Sequence, residues 1–145
     1  MITGLSHVSI VVPSLEAAAR ELEARYGLRI GAINVNAEQG VRLACVELGN
    51  AKIELMEPSR PDSPVAKFLE RNPHGGMHHF CLAVDDVAAA SAAITATGAR
   101  VLGDGTQKNV HGERIAFVHP RDFLGALVEL EERERVPSPR LRGEG

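Results

Sequence analysis

Two stretches about half the chain apart open in the same way, and they decide the fold. Residues 78–84 read HHFCLAV, and residues 7–12 read HVSIVV. In each, a histidine precedes alternating apolar residues, and a short polar break then leads into an alanine-rich helical pattern. Alternation with a period of two is typical of a β-strand. We therefore predict two related modules, each of which supplies one imidazole to a shared site.

The elements that follow the two histidine strands repeat in the same order, which predicts an α+β fold built from two βαβββ modules. In the first half a strand, a helix and three strands are expected over residues 5–12, 15–26, 28–35, 41–48 and 51–56. In the second half the same order is expected over residues 79–84, 87–97, 100–102, 114–119 and 126–130. Ser14 and Asp86 are suited to cap the two helices, and Gly27 and Gly98 to end them.

The length of 145 residues suits one domain. We expect it to cover residues 1–135, with modules at 1–58 and 76–132 joined by a linker, 59–75, that contains a short helix over 65–70. The charged run from Glu131 onward has no apolar periodicity and is interpreted as a solvated tail, with residues 136–145 disordered.

Composition narrows the possible partners. A net charge of −3 and five aromatic residues without tryptophan give no basic stripe and no stacking platform, so nucleic acid is not expected as a partner. No apolar run reaches the length of about 20 residues that spans a bilayer, and the N-terminus has no signal-peptide pattern. Cys45 and Cys81 lie in apolar strand patterns without Cys-x-x-Cys spacing. We expect two reduced core thiols in a cytoplasmic protein.

Glutamates occupy equivalent places in the last strand of each half. Glu54 lies in Ile-Glu-Leu and Glu129 in Val-Glu-Leu, each where an inward apolar residue would otherwise be expected. Together with His7 and His79 they would place two imidazoles and two carboxylates around a shared centre. Such ligands suit Co²⁺, Mn²⁺, Ni²⁺, Zn²⁺ or Mg²⁺. Four protein ligands on an octahedral ion leave two coordination positions for a chelating substrate. The alternative is that each histidine is a hydrogen-bonded structural residue and each glutamate is solvated.

The other histidines are assigned by position. His78 neighbours His79 on a strand and is expected to face the opposite way, which excludes it as a ligand. His119 is interpreted as structural and His74 as part of the linker. His111 lies in a glycine-rich loop, where it could contact a substrate.

Several segments carry a resemblance to a known family. They are residues 49–58 (GNAKIELMEP), 62–69 (DSPVAKFL), 75–79 (GGMHH), 119–123 (HPRDF) and 127–130 (LVEL). With the paired modules, they resemble the methylmalonyl-CoA epimerases of the vicinal oxygen chelate superfamily, which also holds glyoxalase I, extradiol dioxygenases and drug-resistance binding proteins. The similarity covers roughly residues 3–132.

The resemblance implies a curved mixed sheet around a central metal ion, with His7, Glu54, His79 and Glu129 as its ligands. It implies one divalent ion per chain, for which Co²⁺ is the first choice. It also implies a CoA thioester substrate and a homodimer. The implied reaction interconverts the (R) and (S) epimers of methylmalonyl-CoA by removing the C2 proton, passing through a chelated enolate and reprotonating the opposite face. Glu129 would act both as a ligand and in proton transfer, while the substrate-binding residues stay unassigned.

One position departs from the family pattern. Some members carry a catalytic glutamate on the third strand, where this chain has Leu43. The group on the opposite face is therefore open, with Glu38, His111 or water as candidates.

Two other functions remain open at this point. One is a glyoxalase I-type lactoylglutathione lyase, and the other is a metal-free small-molecule-binding protein of the same fold. An extradiol dioxygenase is less favoured, because its iron needs three protein ligands and four are available here.

Overall fold

The computed structural model describes residues 1–103 and 105–134. In these ranges the chain forms eight strands, three α-helices and one short 3-10 helix. The first half contains β1 (Ile2–Val11), α1 (Leu15–Tyr26), β2 (Asn34–Asn36), β3 (Val41–Glu47) and β4 (Lys52–Pro58). A linker helix, α2 (Pro64–Arg71), follows. The second half contains β5 (Gly76–Val84), α3 (Val87–Ala96), β6 (Val101–Leu102), β7 (Ile115–Val118), the 3-10 helix (Pro120–Asp122) and β8 (Val128–Glu132).

The strands form one curved mixed sheet in the order β2-β3-β4-β1-β5-β8-β7-β6. The two halves occupy opposite ends and meet where β1 pairs antiparallel with β5. Each of these strands pairs in parallel with the last strand of its own half, β1 with β4 and β5 with β8. The predicted α+β fold of two βαβββ modules is confirmed. The module boundaries stay a prediction, and the predicted disordered tail, 136–145, lies outside the described residues.

The helix caps follow the sequence signals. Ser14 and Asp86 accept hydrogen bonds from the backbone N–H groups of Ala17 and Ala89, which stabilises the first turns of α1 and α3. Gly27 ends α1 with φ at 66°, a left-handed conformation that glycine adopts without steric cost. Helix α3 ends at Ala96, one residue earlier than predicted.

Packing in the second half shows which face of β8 is buried in the hydrophobic core. Val128 and Leu130 are buried in a cluster with residues of α3, β5 and β7. Because side chains alternate along a strand, Glu129 and Glu131 point to the opposite face. A second cluster, in which Val11, Leu43 and Met56 pack with Val65 of α2, covers part of the sheet in the first half.

Most predicted boundaries differ from the observed ones by a few residues, and two of the differences change the interpretation. Strand β2 covers three residues, Asn34–Asn36, because only this short segment pairs with the edge of β3. Strand β8 continues through Glu132, so Glu131 belongs to the sheet and not to a solvated tail. Glu131 pairs with Ile115 and Glu132 with Val84, and these backbone contacts outweigh the charged composition.

Pairing between β1 and β5 is irregular at the second histidine. Ser9 pairs with His79, but the next residue, Ile10, pairs with Met77. His78 is therefore the extra residue of a β-bulge, a feature that changes the direction of nearby side chains.

Candidate metal centre

The four predicted ligands lie on four neighbouring strands in the middle of the sheet. In the order β4, β1, β5, β8 these strands carry Glu54, His7, His79 and Glu129. The strand registers place the four residues at nearly the same height in the sheet. Ser9 is paired with both Glu54 and His79, and Cys81 is paired with both His7 and Glu129.

Distances between the side chains show that all four predicted residues come together. The Nε2 atom of His79 lies 2.9 Å from Oε2 of Glu129. His7 Nε2 lies 3.7 Å from the same oxygen and 4.0 Å from Oε2 of Glu54. The two imidazole rings meet edge to face, with their centroids 5.9 Å apart.

The Nε2 atom of His7 is a buried polar atom without a hydrogen-bond partner among the described residues. The His7 residue is only 5% exposed. Leaving a buried polar atom unsatisfied costs about 1–3 kcal/mol, unless an ion or ligand supplies the contact. With the nitrogen and oxygen donors around it, this atom makes the group fit a metal ion.

Donor atoms close enough to share an ion form two overlapping groups. One contains His7, Glu54 and His79, and the other contains His7, Cys81, Glu129 and Glu131; in each, the donors lie within 4.8 Å of one another. Cys81 and Glu131 were not predicted near the centre. Glu131 could have been found from its spacing, since it stands two residues after Glu129 on the same strand face.

Charges in the group shift the pKa of its members. Burial alone would raise the pKa of Glu129, but the two imidazoles beside it outweigh burial and lower that pKa to about 2. For His7, burial acts to lower the pKa, and the contact with Glu129 and the charges of Glu54 and Glu131 raise it overall. Burial and the nearby carboxylates raise the pKa of the Cys81 thiol. A thiol that stays protonated is a poor metal ligand, which favours the His/Glu set.

Ser9 joins two of the predicted ligands. It is fully buried, its Oγ donates to Oε1 of Glu54 at 3.0 Å, and the same Oγ lies 3.1 Å from Nε2 of His79. Sequence reasoning missed this serine, although its position two residues after His7 puts it on the same face.

His78 lies outside both donor groups, but it does not simply face away as predicted. Its Nδ1 atom is 2.8 Å from Nδ1 of His79, and its ring packs edge to face on Phe68 of α2. Burial, followed by the charge of His79, lowers the pKa of His78 to about 4. The bulge explains this contact, since strict alternation fails at the extra residue.

The predicted structural role of His119 is confirmed, because its Nδ1 accepts the backbone N–H of Arg121 at the start of the 3-10 helix. His111 lies in the wall of the recess above the metal centre, together with its neighbour Asn109.

This recess encloses about 70 Å³ of free space. That volume suits an ion with a few water molecules and is too small for a CoA thioester. An apolar recess of about 320 Å³ adjoins it, and both share the walls formed by Val41, Met56, His79 and Phe117. A larger ligand could therefore place a polar end at the histidines and its remaining part in the apolar recess.

None of the helices in the described ranges has the length and apolarity required to span a bilayer.

Comparisons with known proteins identify the superfamily of the chain. Residues 6–117 match the family model of the glyoxalase/bleomycin resistance protein/dioxygenase superfamily. The ethylmalonyl-CoA/methylmalonyl-CoA epimerase of Cereibacter sphaeroides is 47% identical over 133 residues, which cover 91% of this chain and 99% of that protein.

Solved structures are similar over nearly the whole chain. A methylmalonyl-CoA epimerase in complex with methylmalonyl-CoA and NH4⁺ is 37% identical with a TM-score of 0.85, covering 96% of this chain and 100% of its own. A glutamate-to-leucine variant of the Streptomyces coelicolor enzyme, in complex with 2-nitronate-propionyl-CoA, is 38% identical with the same TM-score and the same coverage.

Proposed function

We propose that this chain, which belongs to the glyoxalase/bleomycin resistance protein/dioxygenase superfamily, is a methylmalonyl-CoA epimerase, an isomerase that interconverts the (R) and (S) forms of its substrate. The observation that carries the proposal is the buried His7, Glu54, His79 and Glu129 group in a chain 47% identical to an ethylmalonyl-CoA/methylmalonyl-CoA epimerase.

We propose that these four residues hold one divalent metal ion per chain, with Co²⁺ first and Mn²⁺, Ni²⁺, Zn²⁺ or Mg²⁺ as alternatives. The unpartnered Nε2 of His7 and the mixed nitrogen and oxygen donors support this assignment. The chemistry that such an ion supplies is electrostatic stabilisation of the negative charge that develops on the substrate oxygens.

The C2 proton of methylmalonyl-CoA lies between a thioester carbonyl and a carboxylate, so its removal leaves an enolate. Epimerisation requires that one group removes this proton and another returns one on the opposite face. Glu129 is proposed for one of these roles, because its carboxylate lies in the wall of the recess, with Oε2 2.9 Å from Nε2 of His79, where the polar end of the substrate would bind. Its burial excludes the water that would compete.

The walls of the recess limit which group can act on the opposite face of the C2 centre. His111 lies in the wall and Leu43 occupies the family's glutamate position, whereas Glu38 is exposed and is not part of the wall. We infer that His111 or a water molecule beside Asn109 serves this face. Starting from pure epimers, Glu129→Gln and His111→Gln should each slow proton exchange of one epimer more than of the other, and with opposite preferences. Equal slowing of both epimers by His111→Gln would argue against its role.

The apolar recess beside the metal centre supports a substrate with an apolar arm, as a CoA thioester has. Leu43, Cys45 and Phe117 also give the polar recess an apolar wall next to the histidines. We expect this wall to accept an ethyl as well as a methyl group at C2, so ethylmalonyl-CoA should also be a substrate. Comparing kcat/KM for the two thioesters tests this expectation.

The setting of the enzyme is proposed from the same resemblance. We expect a homodimer in the cytoplasm that acts on a small CoA thioester and needs neither nucleic acid nor a membrane. Light scattering coupled to size-exclusion chromatography tests the dimer; a monomer at micromolar concentration would contradict it.

The deciding experiment is metal-dependent exchange of the C2 proton of methylmalonyl-CoA with solvent deuterium. We expect exchange in the Co²⁺-loaded protein and its loss after treatment with a chelator. If exchange is absent and a glutathione hemithioacetal is turned over instead, the chain is a glyoxalase I-type lyase. If the protein binds none of the five metals, it is a binding protein of the same fold.

A further inference from the structure

We propose that Glu131, acting through Ser6, is a positioning residue that holds His7 in the tautomer whose Nε2 lone pair faces the metal centre. This inference rests on the metal site proposed above and assigns the part of the buried group that the proposed reaction does not use.

The outer nitrogen of His7 is enclosed by these two residues. Ser6 Oγ lies 3.0 Å from Nδ1 of His7 and 3.5 Å from both carboxylate oxygens of Glu131. His7 Nδ1 itself lies 3.7 Å from Oε2 of Glu131. The residues are 3% exposed for Ser6, 5% for His7 and 3% for Glu131, so bulk water cannot replace these contacts.

A carboxylate fixes the direction of this hydrogen-bond chain, because it can only accept. The Ser6 hydroxyl therefore donates to Glu131, and its oxygen accepts the proton on Nδ1 of His7. A neutral imidazole carries one N–H, so a proton on Nδ1 leaves Nε2 with a free lone pair. This agrees with the contacts of Nε2, which has no hydrogen-bond partner among the described residues.

Glu131 approaches a different nitrogen of His7 from the two carboxylates proposed as ligands. Glu54 and Glu129 approach its Nε2 side, and Glu131 approaches its Nδ1 side. When Nε2 of His7 is the ligand atom, Glu131 is therefore placed to orient His7 from the Nδ1 side. Carboxylates commonly play this part for metal-bound histidines, and their loss costs about 10- to 100-fold in metal affinity.

Arg133 holds the carboxylate in place from the other side. Its Nε lies 2.5 Å from Oε1 of Glu131 and 3.7 Å from Oε2 of Glu113. The alternation in Glu129-Leu130-Glu131 thus serves two purposes: the first glutamate faces the centre, and the second supports His7 on its Nδ1 side.

The test compares Glu131→Gln with Glu132→Gln, which removes the same charge from the next residue of the strand. Glu132 instead accepts the backbone N–H of Val87, a contact that a glutamine oxygen can also make. Two quantities are measured: the Kd for Co²⁺ by calorimetry, and the His7 tautomer in the metal-free protein by ¹⁵N NMR at a pH above the raised pKa of His7, where the imidazole is neutral. For Glu131→Gln we expect a Kd about 10- to 100-fold higher and a weaker preference for the Nδ1–H tautomer, because an amide, unlike a carboxylate, can also donate to Ser6 and so no longer fixes the direction of the chain. In Glu132→Gln both should match the wild type.

An unchanged Kd and tautomer in Glu131→Gln would overturn the inference, as would an equal effect in Glu132→Gln. If Glu131→Gln does not fold, Ser6→Ala is measured instead. An unchanged Kd for Co²⁺ and an unchanged His7 tautomer in that variant would also overturn the inference. Failure of the proposed function is a separate result: a wild type that binds Co²⁺ but does not exchange the C2 proton would end the epimerase proposal and leave this inference standing.

Discussion

His7 of the first half and Glu129 of the second half face each other across the centre of the sheet, with 3.7 Å between Nε2 and Oε2. Neither half contains the complete donor set, because each supplies one histidine and one glutamate. The pairing of β1 with β5 brings the two contributions together, so the complete donor set requires both halves of the sheet.

Replacing His79 and replacing His78 should have very different effects on metal binding. His79→Ala removes a proposed ligand, and we expect the Co²⁺ affinity to fall by more than about 100-fold. His78→Ala leaves both donor groups intact and should cost less than about 10-fold, through the lost contact between the two Nδ1 atoms. Calorimetric titration with Co²⁺ measures both. The reverse order would show that the register of β5 is off by one residue.

Proton exchange should depend on the carboxylate of Glu129. Glu129→Gln keeps the size of the side chain but cannot accept a proton, and general acid–base groups contribute about 100- to 10,000-fold to rates. We expect a loss of that size in deuterium incorporation at C2, measured by NMR at saturating Co²⁺. Glu132→Gln is the matched control and should exchange normally. Full activity of the Co²⁺-loaded Glu129→Gln protein would remove Glu129 from proton transfer.

Acid should destabilise the metal-free protein partly through His78. Its pKa in the folded state is about 4, below the usual value of 6.5, so the unfolded chain takes up this proton first. The stability that His78 contributes is therefore present above about pH 6.5 and lost as the pH falls towards 4. The effect is on the order of 2 kcal/mol.

We expect His78→Phe to lose less stability than the wild type between pH 7 and pH 4.5, measured by urea unfolding after chelator treatment. Acid raises the stability contribution of His7, whose pKa is shifted upward, so the comparison must be made between the two proteins at each pH. Identical pH profiles would show that His78 is not held neutral by burial.

The core under α3 should be sensitive to the loss of volume. Leu130 is 1% exposed and packs with Val87, Ala90 and Val128. Leu130→Ala should lower the free energy of unfolding by about 2–5 kcal/mol, since both transfer energy and a cavity contribute. Leu102→Ala, at a residue 44% exposed, is the control and should cost less than about 1 kcal/mol. Urea unfolding measures both, and similar losses would contradict the packing described for β8.

Much of the fold could be predicted from local signals. The alternation after His7 and His79, the caps at Ser14 and Asp86 and the stop at Gly27 each depend on a few neighbouring residues. Strand β2 was misplaced, because an edge strand is defined by pairing and not by its own apolar pattern. Glu131 was misread for a related reason, since its place inside the sheet depends on partners distant in the sequence, such as Ser6, which lies 125 positions away.

The sequence by itself determined which residue types the centre has, because His7, Glu54, His79 and Glu129 each stand at a matching place in a repeated pattern. Only the tertiary structure decided how they work together. The bulge at His78, the buried Ser9 between two proposed ligands and the hydrogen-bond chain from Glu131 through Ser6 to His7 all depend on the register between strands far apart in the sequence. Hydrogen bonds act over about 3 Å, and no local pattern specifies distances of that size between separate strands.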